Sequence, residues 1–420
     1  MSLLPKLSLG WAQVPDDLSE ISQIDHAAEC APESLGLNTR DVEAVWTSLQ
    51  QLYRTGVHPA ITVVIRRQGK IILKRAIGAV SGNAPGDQGA WVPLSPDAPM
   101  SLFSASKAIS SLLVHKLVED GKVDLDAPVS EYIPEFAAKG KGRVTVRQLL
   151  AHRAGIPALP IKYPEPQLLR HWDAIVAILC AAEPVDPSFK TQAYHALTGG
   201  FIIGEVVRRA SGRELPDLLD DWIAKPLNCR YMTYGIAPNL RTQLPPNVCT
   251  GPRPLWPMSR YVQSIIGIPF EYAVHASNDE AYLSTVVPAG NICASADDAS
   301  RVFQMLLNGG ELDGVRVLKP ETVAEAIRPY GHIQIDRTLL MPMRYSAGFM
   351  LGESPIGLYG PWCRKAFGHL GFVNVLCWAD PERDISVALL NTGKSMAPSG
   401  LFKLAAVLGA ISKACPKIKN

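Results

Sequence analysis

The sequence predicts an α+β fold: one antiparallel sheet built from both chain ends, flanked by helices, with a mostly helical lobe inserted between the halves. Three observations predict it. Strand-like runs cluster near the start (AITVVIRR, KIILKRAIGAV) and near the end (YSAGFML, NVLCWAD, DISVALLN). The middle third instead carries helical apolar spacing, in VRQLLAHR and GGFIIGEVVRRASG, between proline-rich loops. No internal repeat competes with this reading. With 420 residues, 47% hydrophobic and 19% charged, the chain can bury one large core with an inserted lobe.

Taken in order, residues 1–35 lack periodicity and are expected to form an irregular arm, with 36–420 as a single unit. Within it, about 36–110 and 286–420 make the α/β lobe and about 111–285 the helical lobe. LNTRDVEAVWTSLQQLY predicts a helix capped by Asn38 or Thr39. Gln68-Gly69 supplies the tight turn between the first two strands. Residues 104–120 carry an apolar stripe (Ala108, Ile109, Leu112, Leu113, Leu117), with Gly121 as the stop. Between about 233 and 287 the chain reads as an irregular, proline-rich loop roofing a site. Asp297 or Asp298 is expected to cap a helix ending at Leu307, and a last helix starts near Ser399.

Composition excludes several function classes. A net charge of +2 gives no electrostatic footprint for nucleic acid, and the densest basic stretch (Lys139, Lys141, Arg143, Arg147) reads as an exposed loop. No apolar stretch is long enough to span a bilayer. Pro5, Lys6, Gln13, Pro15 and Asp16 interrupt what a signal peptide needs. The eight cysteines are dispersed without a CxxC, which predicts reduced thiols in a cytoplasmic protein and no metal site. No cofactor motif is present: GxSxG, Walker A, HExxH and GxGxxG are all missing.

The chemistry centres on Ser104-Ala105-Ser106-Lys107. A serine hydroxyl is a weak nucleophile until a base takes its proton. Helix positions i and i+3 share a face, so the Lys107 amine can reach Ser104, and burial lowers a lysine pKa towards a useful value. A Ser-x-x-Lys arises by chance roughly once in such a chain, and a surface pair on a helix is the bland alternative.

The surrounding segments resemble the class C β-lactamase-like family, and within it the family VIII carboxylesterases. FSASKAISSLLVHKLVEDGKVDLDAPVSEYIPEF is similar to that family's nucleophile helix, VTVRQLLAHRAGIP to its next helix and turn, and YHALTGGFIIGEVVRRASG to its second-motif segment. PAGNICASADDASRVFQMLLNGGELDGVRVLKPETV and FGHLGFVNVLCWADPERDISVALLN resemble its late helix and final strands, so the likeness runs from Leu37 to Asn391. The resemblance implies a β-lactamase/transpeptidase-like fold. It also implies catalytic Ser104, Lys107 and Tyr194, the last expected to have its pKa pulled down by the lysine charge. It further implies an oxyanion hole from the N–H groups of Ser104 and Phe372, with His369, Leu370, Gly371 and His195 lining the site. Trp256, Tyr261, Phe270 and Tyr272 of the roof are expected to form the substrate pocket.

Departures from the family pattern point to the substrate. Tyr194-His195-Ala196 lacks the usual third-position asparagine, and His369-Leu370-Gly371 replaces Lys-Thr-Gly. Groups that grip a carboxylated amide are missing while the activating set remains, which favours short to medium uncharged esters. The alternatives are acyl transfer from the same residues, a β-lactamase or D-amino-peptidase, and a non-enzymatic binding protein. The expected partner is a small ester, with monomer and homodimer both open.

Overall fold

The computed structural model describes residues 9–161 and 165–418. Its centre is an antiparallel sheet of β1 (Ser22–Ile24), β2 (Ala60–Arg67), β3 (Lys70–Ser81), β4 (Met350–Leu351), β5 (Phe367–Leu370), β6 (Leu376–Asp380) and β7 (Ile385–Asn391). The strand order is β1-β3-β2-β7-β6-β5-β4, with the two-residue strand Val92–Pro93 paired to β3. The β2–β7 pair, in register from Ile61↔Asn391 to Arg67↔Ile385, joins the N-terminal and C-terminal halves of the chain. The expected turn forms at Gln68 (φ 51°) and Gly69 (φ 77°), the paired left-handed residues that match strand twist.

The sheet is buried on both faces, so β2 is apolar almost throughout and every residue in it is buried. Its side chains alternate. Ile61, Val63 and Ile65 pack against α1 (Thr39–Tyr53) and the C-terminal helix Pro398–Ala414. Ala60 and Val64 face the core shared with α2 (Ser106–Glu119) and the helix Ala296–Leu307. Asn38 caps α1, its side chain accepting from Arg40 N at 2.8 Å.

α2 is buried around most of its circumference, as a helix at the heart of a large core must be. Its polar side chains are correspondingly bonded: Ser110 Oγ donates to Pro288 O at 2.7 Å, and His115 Nε2 meets Ala347 O at 2.8 Å. Between the lobes lies a small sheet of Met100–Ser101, Ile292–Ala294 and Thr233–Tyr234, which ties the start of α2 to the middle of the chain.

Four expectations are corrected. Part of the arm is not irregular: Ser22–Ile24 pairs with β3, and Leu18 and Ile21 are buried. Residues 1–8 of that arm lie outside the described residues. The helix ending at Leu307 is capped by Ser295, whose hydroxyl accepts from Asp298 N at 3.0 Å while Asp298 accepts from Ser295 N at 3.0 Å. Asp298 is therefore the third residue of a capping box. The roof is more ordered than a loop, containing α6 (Met258–Ile266) and α7 (Phe270–Ala276), numbered after α3 (Val146–Leu150), α4 (Trp172–Ala181) and α5 (Thr198–Ser211). Lys141 is buried, because its ammonium caps the carbonyls of Ala138, Cys180 and Ala182 at 2.8, 2.9 and 2.5 Å. Among the described residues no helix is long and apolar enough to cross a membrane, and the cysteines are unpaired.

Candidate active site

Ser104 sits in a 3₁₀ turn, Phe103–Ala105, that runs straight into α2. Its N–H precedes the first bond of that turn, from Ala105 N to Leu102 O at 3.1 Å, and so has no place in the helix ladder. Phe103 is held at φ 48°, a conformation a bulky residue adopts only under constraint. The constraint is visible: its ring packs edge-on to Phe372 at 5.5 Å, with the Lys394 amine 4.6 Å from its centroid.

The end of β5 is drawn against this turn. A Cβ at Gly371 would meet Leu102 O at 2.4 Å, so only glycine permits the approach. Gly371 N donates to Val375 O at 2.8 Å, while the next N–H, that of Phe372, is bonded to no carbonyl among the described residues. The Ser104 and Phe372 N–H groups thus both lack a carbonyl partner among the described residues, and both residues border the same cavity.

Lys107 Nζ has three oxygen neighbours: Ser104 Oγ at 3.0 Å, Ala196 O at 2.7 Å and Ala289 O at 3.0 Å. These contacts accommodate both protonation states: an ammonium donates to all three oxygens, whereas a neutral amine donates to the two carbonyls and leaves its lone pair for the Ser104 O–H. Burial favours the neutral form, holding the Lys107 pKa well below the usual lysine value. The side chain borders a cavity and is only half-buried by surface, but no carboxylate pairs with it to restore the charge.

Tyr194 lies against the same pair, its ring centroid 4.9 Å from Lys107 Nζ and its hydroxyl on Ser104. Its phenol is pushed up, not down as the sequence reading expects, because burial dominates, and the nearby Asp336 charge adds to it against the opposing hydrogen bond with Ser104. Three imidazoles back the pair. His195 and His369 are lowered to about 3 by burial and then by Lys107, and His152 is lowered well below the ordinary imidazole value. All three are neutral at physiological pH. His369 Nδ1 meets Leu370 O at 2.6 Å, and His195 Nε2 accepts from Ile156 N at 3.1 Å.

Above Ser104 opens a cavity of ≈ 420 Å³. Ser104, Tyr194 and Leu370–Phe372 border its floor, Phe103 and Leu159 belong to its walls, and the roof supplies Tyr261, Phe270 and Tyr272. Among the described residues its lining is apolar apart from a few hydroxyls and Glu165, and contains no lysine, arginine or histidine.

Sequence reasoning thus finds Ser104, Lys107, Tyr194, Leu370, Gly371 and Phe372 together. Three other expectations are corrected. Trp256 is 79% exposed and off the cavity wall, in the segment before α6, whose Tyr261 lines the cavity instead. His369 is buried behind Tyr194, at 6.1 Å between rings, and does not reach the cavity. His195 lines a separate void of ≈ 30 Å³ behind Lys107.

Sequence reasoning misses the supports. Asn291 shapes the loop presenting Ala289 O, donating to Tyr282 O and Thr285 O at 2.7 Å and accepting from Val287 N at 2.9 Å. α5 comes close enough to this loop that a Cβ at Gly200 would meet Ala289 Cβ at 2.6 Å. Asp336, fully buried, accepts from Tyr194 N at 3.0 Å, from Thr338 N and Leu339 N at 2.9 Å, and from Tyr345 O–H at 3.1 Å. The PAGN run is the only signal for the first support, and a lone aspartate in a hairpin gives none for the second.

The β-lactamase family model matches residues 49–410. The esterase/β-lactamase LipL of Mycobacterium tuberculosis is 31% identical over 316 residues, 73% of this chain and 72% of its own. Among solved structures, a family VIII carboxylesterase superposes with TM-score 0.76 at 26% identity, covering 92% of this chain and 99% of that one. A penicillin-binding protein homologue from Caulobacter crescentus also gives TM-score 0.76 and 26% identity, covering 90% and 98%.

Proposed function

This chain belongs to the β-lactamase family and is a serine hydrolase, and on that premise we propose that it is a carboxylesterase acting on uncharged esters through an acyl-enzyme on Ser104. The observation that carries the substrate class is the cavity wall. Among the described residues no cationic side chain lines it, so a substrate carboxylate would find no partner on that wall. An uncharged ester incurs no such penalty, and its apolar groups gain from burial.

Ser104 O–H gives its proton to the Lys107 lone pair as Oγ attacks the ester carbonyl carbon. The carbonyl oxygen becomes an oxyanion between the N–H groups of Ser104 and Phe372, which have no competing partner. Lys107 is now an ammonium held by Ala196 O and Ala289 O, and its new charge favours loss of the Tyr194 proton. Tyr194 protonates the departing alkoxide as the C–O bond breaks, and Lys107 restores the phenol. Water repeats the cycle on the acyl-serine and frees the acid. The unpaired cysteines fit a reducing compartment such as the cytoplasm.

A panel of p-nitrophenyl esters run beside nitrocefin and a D-alanyl amide tests the reading. Ester cleavage should exceed β-lactam and amide cleavage by at least a hundredfold in kcat/KM and fall about a thousandfold or more in Ser104→Ala. Faster nitrocefin turnover, or an ester rate indifferent to Ser104→Ala, contradicts it.

A further inference from the structure

The roof helix α6 is amphipathic in an unusual direction. Tyr261, Val262, Ile265 and Ile266 line the cavity. Met258, three residues before Tyr261 and four before Val262, shares their face one turn further out and is 44% exposed. Leu255 (57% exposed) and Trp256 (79%) continue the apolar run into solvent. The lining of the cavity therefore does not end at its mouth.

A second element meets the first there. The hairpin Gln334–Asp336/Met341–Met343 sends Leu339 and Met341 to the cavity wall, and the Tyr261 O–H donates to Leu339 O. Leu340, between them at φ 52°, is turned outward and 64% exposed, and Ile335 on the same hairpin is 59% exposed. Large apolar side chains left in water on two adjoining elements at one pocket are a recurrent mark of an interaction surface.

The charges of both segments have one sign. Between residues 252 and 270 there is no aspartate or glutamate, and Arg260 is exposed without an acidic partner among the described residues. Between residues 331 and 343 the only acid is buried Asp336, while Arg337 is exposed and also lacks an ion-pair partner. Glu165, the one acid lining the cavity, comes from a different segment. A near-neutral net charge hides this local excess.

We infer that this rim docks on a lipid–water interface, preferentially an anionic one, so that the enzyme draws lipid-like esters with long acyl chains directly into the cavity. The apolar residues enter the headgroup boundary while the two arginines meet anionic headgroups. At about 30 Å³ per methylene-sized group, close to the volume a liquid water takes, the ≈ 420 Å³ cavity accepts on the order of a dozen carbons. This extends the proposed short-to-medium range upward, and the substrate half of the inference rests on the ester reading. The docking half does not.

Vesicle co-sedimentation of the Ser104→Ala protein separates the two. It should bind phosphatidylcholine vesicles containing phosphatidylglycerol, more weakly on pure phosphatidylcholine and in high salt. The double variant Trp256→Ser/Leu340→Ser should bind at least tenfold more weakly. With Ser104 intact, that double variant should keep its rate on dissolved p-nitrophenyl butyrate and lose about tenfold on an emulsified long-chain ester. No vesicle binding by the parent protein, unchanged binding by the double variant, or a dimer that the double variant dissociates overturns the inference. The last result would make a second copy the occupant of the rim. Vesicle binding without any ester cleavage would instead sink the esterase reading alone.

Discussion

The protonation state of Lys107 is the residue on which the chemistry turns. Its three oxygen neighbours suit an ammonium with three N–H groups as well as a neutral amine that takes the Ser104 O–H on its lone pair, and burial is what favours the neutral form. A protonated Lys107 would also stand beside His152, His195 and His369 with no carboxylate to compensate. In the unfolded chain the same lysine keeps its ordinary pKa, so burial that lowers it makes the folded protein less stable at neutral pH. Lys107→Met removes that cost while roughly filling the space. It is expected to abolish ester turnover and to raise stability by about 1 kcal/mol or more, a gain typical of neutralised functional sites. Thermal melts and rates on the same preparation check it; a variant both inactive and less stable contradicts a neutral Lys107.

At the scale of elements, the hairpin carrying Asp336 does two tasks that its sequence does not advertise. One carboxylate pins the backbone of Tyr194 and the turn at Thr338-Leu339, so the proton-carrying phenol and one cavity wall are set by a single group. Asp336→Asn retains one acceptor oxygen but turns an NH₂ towards donors, leaving a buried conflict. Turnover should fall tenfold to a hundredfold while reaction of Ser104 with a fluorophosphonate persists. Rescue by Asp336→Glu is not expected, since the pocket is closed around the shorter acid. Full activity in Asp336→Asn would show that the contact does not matter.

The same elements explain what was legible. The Asn38 cap, the Gln68-Gly69 turn and the α2 stripe are local features, each fixed by residues within a few positions of one another. Ser295, Asp297 and Asp298 are all cap-type residues close together in sequence, and their roles separate only in the fold, where the Asp298 carboxylate accepts from Ser295 N. The strand Ser22–Ile24 is too short to show a period. In the site, Ser104, Lys107 and Tyr194 have identities a sequence can display, whereas the acceptors of Lys107 are backbone oxygens of two alanines. Trp256 and Tyr261 look alike as roof aromatics, but only Tyr261 lies on α6 and lines the cavity.

For the whole molecule, the β2–β7 join means that neither half of the chain completes the sheet alone, and the core beneath it encloses groups that resist protonation. His58, His195 and His369 are lowered from 6.5 to about 3, chiefly by burial. Between those values the unfolded chain binds protons that the folded protein does not, so stability is full above 6.5 and is lost as pH falls towards 3. The Tm should begin to drop near pH 6.5, above the range where exposed carboxylates titrate. A Tm flat from pH 8 to 4.5 would mean that these imidazoles are not held neutral.

The central claim is that a neutral Lys107 accepts the Ser104 proton, and the pH dependence of acylation tests it most directly. The burst of p-nitrophenol released as Ser104 is acylated should rise with pH through a single group titrating well below 10.5, the ordinary lysine value, and then hold level. The burst should vanish in both Lys107→Met and Ser104→Ala. A burst that climbs only as pH approaches 10.5, or one that survives in Lys107→Met, would contradict the account.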